Sequence, residues 1–234
     1  MYEEWTSELP HVVAWRSVAP PGAGPRRILP DGCLDLIWHE GTVFVAGPDT
    51  TAQVGRPPPG SRHAALRFGA GTGPGVLGVP AYEVVDRRVP LDALWPPAAV
   101  RAIAEADDPI AALTAAAARR WAGPDRAMVA LAGAARAGLP VDVVARRCGL
   151  SARQLQRRSN VAFGYGPKTL HRILRLQRAV ALARAGRPFA AVSADAGYAD
   201  QAHLAREVRA MAGVPLSALV PPRREATAAE RSVG

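Results

Sequence analysis

The sequence predicts an α+β protein, with a small β-rich first half and an all-α second half containing two helix–turn–helix units. Three observations predict it. Up to about Trp95 the apolar residues come in short alternating or β-branched runs separated by glycine- and proline-rich turns. After Pro96 and Pro97 the text becomes alanine-rich with few breakers. From Asp125 to Val220 it reads as consecutive helices punctuated by glycine, and one segment there can be laid on another.

Taken in order, LDLIW (34–38), TVFVA (42–46) and HAALRF (63–68) are predicted strands. PDG (30–32), GPDT (47–50), PPPG (57–60) and GAGTGPG (69–75) are predicted turns. The last lacks the Gly-x-Gly-x-x-Gly spacing of a phosphate loop and is expected to be a flexible turn. Trp15, Trp38, Trp95 and Trp121 are expected in the core. The expected division is a β-rich unit at 1–95, a helical linker at 96–123, a double helix–turn–helix domain at 124–222 and a disordered tail at 223–234.

The repeat lies in the third of these. VVARRCGLSARQLQR (143–157) aligns with AVSADAGYADQAHLAR (191–206), pairing Val144 with Val192, Gly149 with Gly197 and Leu155 with Leu204. In the first unit Val141, Val144, Ala145 and Cys148 share one helix face, so Cys148 is expected to be a small core residue. Gly149 allows the tight turn, and Ser151 can cap the next helix. With Leu155 pointing inward, Arg153, Arg157 and Asn160 point outward and Gln156 flanks them. Ser159 falls on the inner face, with Phe163 available to fill the space beside it.

In the second unit Asp200 is the cap and Leu204 and Val208 point inward. Ala202, Arg206 and Arg209 point outward, with Gln201 and His203 near the cap; His203 reads equally as a base contact and as a packing residue. The connecting helix, 167–186, opens with Pro167 and has an apolar stripe of Leu170, Ile173, Leu174 and Val180. Lys168, Arg172 and Arg175 form a separate basic stripe suited to phosphate. His171 is expected at the surface.

Charge supports a polyanionic partner. Residues 1–123 carry 11 Arg and 13 acidic residues, a balance of −2, whereas residues 124–234 carry 18 basic and 7 acidic residues, a balance of +11. Between Ser151 and Gly166 there are three arginines and no acid. Guanidinium and amide groups on one helix face can pair with guanine and adenine edges in the major groove, so the expected partner is double-stranded DNA.

Several classes are disfavoured. Cys33 and Cys148 cannot build a disulfide framework or zinc site. His11, His39 and His63 are too widely spaced for a cupin-type metal set, so no metal and no cofactor is expected. The acidic start MYEEWTSELP lacks signal-peptide order, and no apolar run reaches the ~18 residues of a span. The expectation is a soluble cytoplasmic protein without membrane contact.

RLQRAVALARAG followed by GYADQAHLAREVRAMAG resembles the AraC/XylS family of helix–turn–helix transcription regulators, over about residues 125–220. The resemblance implies two helix–turn–helix units on one linker helix. It places base-facing residues at Arg153, Gln156 and Arg157, and at Gln201, Ala202, His203 and Arg206. Two features depart from the family pattern: Arg158–Ser159 stands where an apolar and an aromatic residue are usual, and GVPLSAL lacks the Pro-Ser order. In the first half, ILPDGCLDLIW, AGPDT and LGVPAYEVVDRRVPLDALW resemble the small sensor-like domain of some actinobacterial regulators, for which a cupin-like β-fold is implied.

The expected function is therefore a sequence-specific transcription regulator and not an enzyme, with RNA polymerase, a small-molecule effector and a second copy of the chain as further partners. Asp31, Cys33, Asp35 and Trp38, with Arg67 as an anion partner, are the candidate ligand residues. Two alternatives stay open: a DNA-binding module fused to a Cys33-based alkylation or redox function, and a nucleoid or interaction module with little sequence preference.

Overall fold

The computed structural model describes residues 1–22, 24–139 and 141–220; the expected tail at 223–234 lies outside the described residues. Among the described residues the first half holds eight strands: β1 (Tyr2–Thr6), β2 (Val12–Val18), β3 (Arg26–Ile28), β4 (Leu34–His39), β5 (Thr42–Ala46), β6 (Gln53–Gly55), β7 (Arg62–Phe68) and β8 (Arg88–Pro90). Six form one antiparallel sheet in the order β1-β2-β7-β4-β5-β8, and β3 and β6 pair as a separate ribbon. The three expected strands are β4, β5 and β7. Of the other five, β1, β3, β6 and β8 are three to five residues long, with β1 and β8 at the sheet edges, so they give weak signals of their own. By contrast, β2 is a seven-residue interior strand with alternating burial that was not singled out in the sequence.

Side chains alternate across the sheet. Leu34, Leu36 and Trp38 face one side of β4, joined there by Val12, Ala14, Val45, Leu66 and Phe68 from neighbouring strands. After the short helix α1 (Pro74–Leu77) and a 3-10 turn at Ala81–Glu83, this face is covered by α2 (Pro97–Ala104) and α3 (Pro109–Arg120). Ile103, Leu113, Ala116 and Ala117 are buried against it, and the Trp38 indole donates to the Ala104 carbonyl at 3.0 Å. Segment 96–123 is thus not the expected linker. An apolar sheet face needs a second layer, and the alanine-rich helices supply one that fits closely.

The second half contains α4 (Arg126–Arg136), α5 (Val141–Arg147), α6 (Ala152–Phe163), α7 (Pro167–Arg184), α8 (Phe189–Asp195) and α9 (Gln201–Ala212). Helix α7 is the axis: Leu170, Ile173, Leu174, Leu176, Ala179, Val180 and Ala183 are all buried. Around it pack α4 and the pairs α5–α6 and α8–α9. The duplication survives in detail, since α6 and α9 each have 12 residues, an oxygen-bearing N-cap and a left-handed glycine at the C-terminus. Between the paired helices Gly149 and Gly197 have φ of 66° and 80°, a region that costs L side chains energy.

Two expectations are corrected here. Cys148 is exposed, because it lies in the turn just beyond the last residue of α5, where the helix face no longer continues. The glycine-rich stretch 69–75 is a packed junction and not a loose turn. A Cβ on Gly71 would lie 2.8 Å from the Phe163 ring of α6, and one on Gly75 would lie 2.9 Å from the Gly123 carbonyl. Ala70 is buried in the core of the helical domain.

Candidate nucleic-acid interface

The first unit places its polar face by local rules. Ser151 accepts from the Gln154 amide while the Gln154 side chain accepts from the Ser151 amide, a reciprocal cap that fixes where α6 begins. Leu155, Ser159, Ala162 and Phe163 then face the core. Arg153, Gln156 and Arg157 are left exposed, with Asn160 half-buried and its side-chain oxygen accepting from Gln156 Nε2 at 3.1 Å. Ser159 is tolerated inside by lying against the Met128 sulfur at 4.0 Å. Arg158 turns sideways and donates through Nε to Asp125 at 2.9 Å. Asp125 also caps α4 through the Ala127 and Met128 amides.

The second unit repeats the scheme with different side chains. Asp200 accepts from the His203 amide at 2.6 Å. Leu204, Glu207, Val208, Met211 and Ala212 are buried, and Gln201, Ala202, Arg206 and Arg209 are exposed. His203 is half-buried, edge-on to the Tyr198 ring at 5.2 Å, with Nε2 lying 3.6 Å from Glu207. Among the described residues none of Arg153, Arg157, Arg206 and Arg209 has an acidic partner, so four guanidinium groups face outward uncompensated on two helices.

The expected basic stripe on α7 is only partly open. Lys168 is exposed. Arg172 donates through Nε to Glu207 at 2.6 Å yet keeps half its side chain in solvent. Arg175 does not belong to an open stripe: its side chain is 16% exposed, it pairs with the other Glu207 oxygen, and its guanidinium lies over the Tyr198 ring at 4.3 Å. The cause is Glu207, a carboxylate only 6% exposed that requires compensating charge. Asp125 and Glu207 were not singled out in the sequence. Their signal is position, since Arg158 and Glu207 are each the seventh residue of duplicated helices and each finds an opposite charge on the frame.

The candidate ligand residues of the first half do not all meet. Asp35 and Arg67 are cross-strand neighbours, 3.1 Å apart, and the Trp15 indole donates to Asp35 at 2.8 Å. Burial pushes the Asp35 carboxyl up against the pull of Arg67 and Trp15. The Cys33 amide donates to Asp31 at 2.8 Å. Burial, reinforced by Asp31 and Asp35, pushes the Cys33 thiol far above its ordinary value. Trp38 is three residues from Asp35 and faces the opposite side of the sheet, in the core; alternation separates the two.

A helix-turn-helix domain model matches residues 144–220, which span both duplicated units. Residues 144–220 are a helix-turn-helix domain of the AraC/XylS type. A domain of unknown function (DUF6597) matches residues 8–90, ahead of this AraC/XylS-type domain. No curated protein sequence matches the chain. Among solved structures, a probable AraC family transcriptional regulator from Rhodopseudomonas palustris is 22% identical, covers 41% of this chain and 95% of its own, and has a TM-score of 0.37. ToxT from Vibrio cholerae is 8% identical, covers 89% of this chain and 97% of its own, and has a TM-score of 0.45. The form of ToxT with an unsaturated fatty acid bound is 9% identical, with coverages of 93% and 96% and a TM-score of 0.46. With its AraC/XylS-type domain, the chain is a DNA-binding transcription regulator. No helix among the described residues is long and apolar enough to cross a membrane.

Proposed function

We propose that α6 and α9 are two non-identical recognition helices that read successive major-groove segments of one asymmetric site. The observation that carries this reading is the pair of capped 12-residue helices with unpaired outward arginines but different outer faces. Arg153, Gln156, Arg157 and Asn160 serve the first half-site, and Gln201, Ala202, His203, Arg206 and Arg209 the second. Lys168 and the open side of Arg172 meet phosphate, whereas Arg175 acts indirectly by holding Glu207. The N-terminal domain is regulatory and performs no chemistry, with RNA polymerase, a small-molecule effector and a second copy as partners of the intact chain.

The test is to select bound duplexes from a random pool with the purified chain and footprint the winners. Two dissimilar motifs about 10 bp apart are expected. A perfect palindrome occupied only by a dimer would overturn the reading. A Cys33 alkyl-transfer function is the weaker alternative. Its thiol is half-buried with Asp31 and Asp35 beside it, and both the partial burial and those carboxylates oppose the thiolate that such chemistry needs.

A further inference from the structure

The N-terminal domain touches the C-terminal ends of both helices that carry the outward arginines, but it does so by different means. Its contacts come from loops at one end of the sheet and from the separate β3–β6 ribbon. At α6 the contact is apolar packing. Phe163 is fully buried against Gly71, and at Gly164 a Cβ would lie 3.0 Å from Val85 and 3.1 Å from the Ala81 carbonyl. At α9 the contact is polar. Arg27 Nη1 of the ribbon donates to the Ala212 carbonyl at 2.7 Å, and the Ala52 amide, next to the ribbon, donates to the Met211 carbonyl at 2.7 Å. Those are the last carbonyls of α9. They lack intrahelical partners and sit at the negative end of the helix dipole, where a cation is favoured. Between the two ends, Gln177 of α7 donates to the Pro30 carbonyl at 2.7 Å.

Within the DNA-binding domain α7, about 27 Å long, is the helix against which both units pack. We propose that the ribbon and sheet of the N-terminal domain brace this pair, and that Arg27, outside the DNA-binding domain, is a specificity-determining residue for the spacing between half-sites. The proposal rests on the two-helix reading above. Moving one half-site by one base pair rotates it by about 35° around the duplex. A braced pair of helices resists that rotation, and a pair held by contacts within its own domain follows it more easily. Arg27 is the adjustable point, because α6 is wedged by buried rings while α9 hangs on hydrogen bonds.

The experiment uses the full chain and its selected site, with half-site separation lengthened or shortened by one base pair. Wild type is expected to prefer the native spacing about tenfold or more. Arg27→Ala, at an exposed position, is expected to keep its melting temperature within a few degrees and its affinity for each half-site, but to lose about fivefold of the spacing preference, the worth of one net hydrogen bond. Arg27→Lys should retain most of the preference, and Arg27→Glu, which sets a carboxylate against carbonyls, should lose more than the alanine variant. Wild-type spacing preference in both Arg27→Ala and Arg27→Glu overturns the brace alone. A selected site with a single half-site overturns the two-helix reading and the brace with it.

Discussion

Arg157, Lys168 and Arg175 are three cations of one domain with three different surroundings, and each surrounding leads to a different expected result. Arg157 is exposed on α6 and has no acidic partner among the described residues. Arg157→Ala should cost about 1–3 kcal/mol and relax base preference at one position of the selected site, measured by competition among single-base variants. Lys168 is exposed at the start of α7, so Lys168→Ala should weaken binding evenly across sequences and reduce the slope of log K against log salt by about one. Arg175 is buried against Glu207 and Tyr198. Arg175→Ala should lower stability by about 1.5–3 kcal/mol, the range for a hydrogen bond to a charged group, in a denaturant titration without DNA.

Among the elements, the duplicated units share capping logic but differ in how charge docks their second helices. In the first, Asp125 caps α4 and holds Arg158 of α6. Burial pushes its carboxyl up, but the Arg158 guanidinium and the Met128 and Ala127 amides outweigh this, and its pKa lies below the ordinary value. A depressed carboxylate stabilises the fold above its unfolded pKa of about 3.9, and that stability is lost as pH falls through the lower folded value. Asp125→Asn should therefore be less stable than wild type at neutral pH and show a flatter loss between about pH 4 and pH 2, followed by helical circular dichroism. The helix starts themselves were legible in the text: Ser151 with Gln154, and Asp200, are local signals. Short strands such as β3 and β6 were not, since three residues carry no period and exist only by pairing with each other.

For the whole molecule, the boundary of the first domain belongs after α3. Trp38, Leu36 and Leu66 rest on helices that begin beyond Trp95. A fragment of residues 1–123 should unfold cooperatively in urea, whereas 1–95, with one sheet face stripped, should aggregate or lack a transition. A fragment starting at residue 124 should keep affinity for single half-sites within about tenfold of the full chain, since its helices share their own core around α7. It should also be less stable, because Phe163, Tyr165 and Leu170 lose the cover of the Gly32 and Gly71 turns.

The amino-acid sequence by itself determined what depends on near neighbours: helix periods, caps, glycine turns, the duplication, and the outward direction of Arg153, Arg157, Arg206 and Arg209. These follow from bond geometry and hydrogen bonds that span a few residues. Only the tertiary structure decided which cations remain open, that Trp38 and Asp35 part company, that Cys148 is exposed, and that the 69–75 glycines are a junction. Each of those depends on partners far away in the chain, such as Glu207 for Arg175 and Phe163 for Gly71. Burial and charge pairing are set by what the fold brings alongside a residue, and no local pattern carries that information.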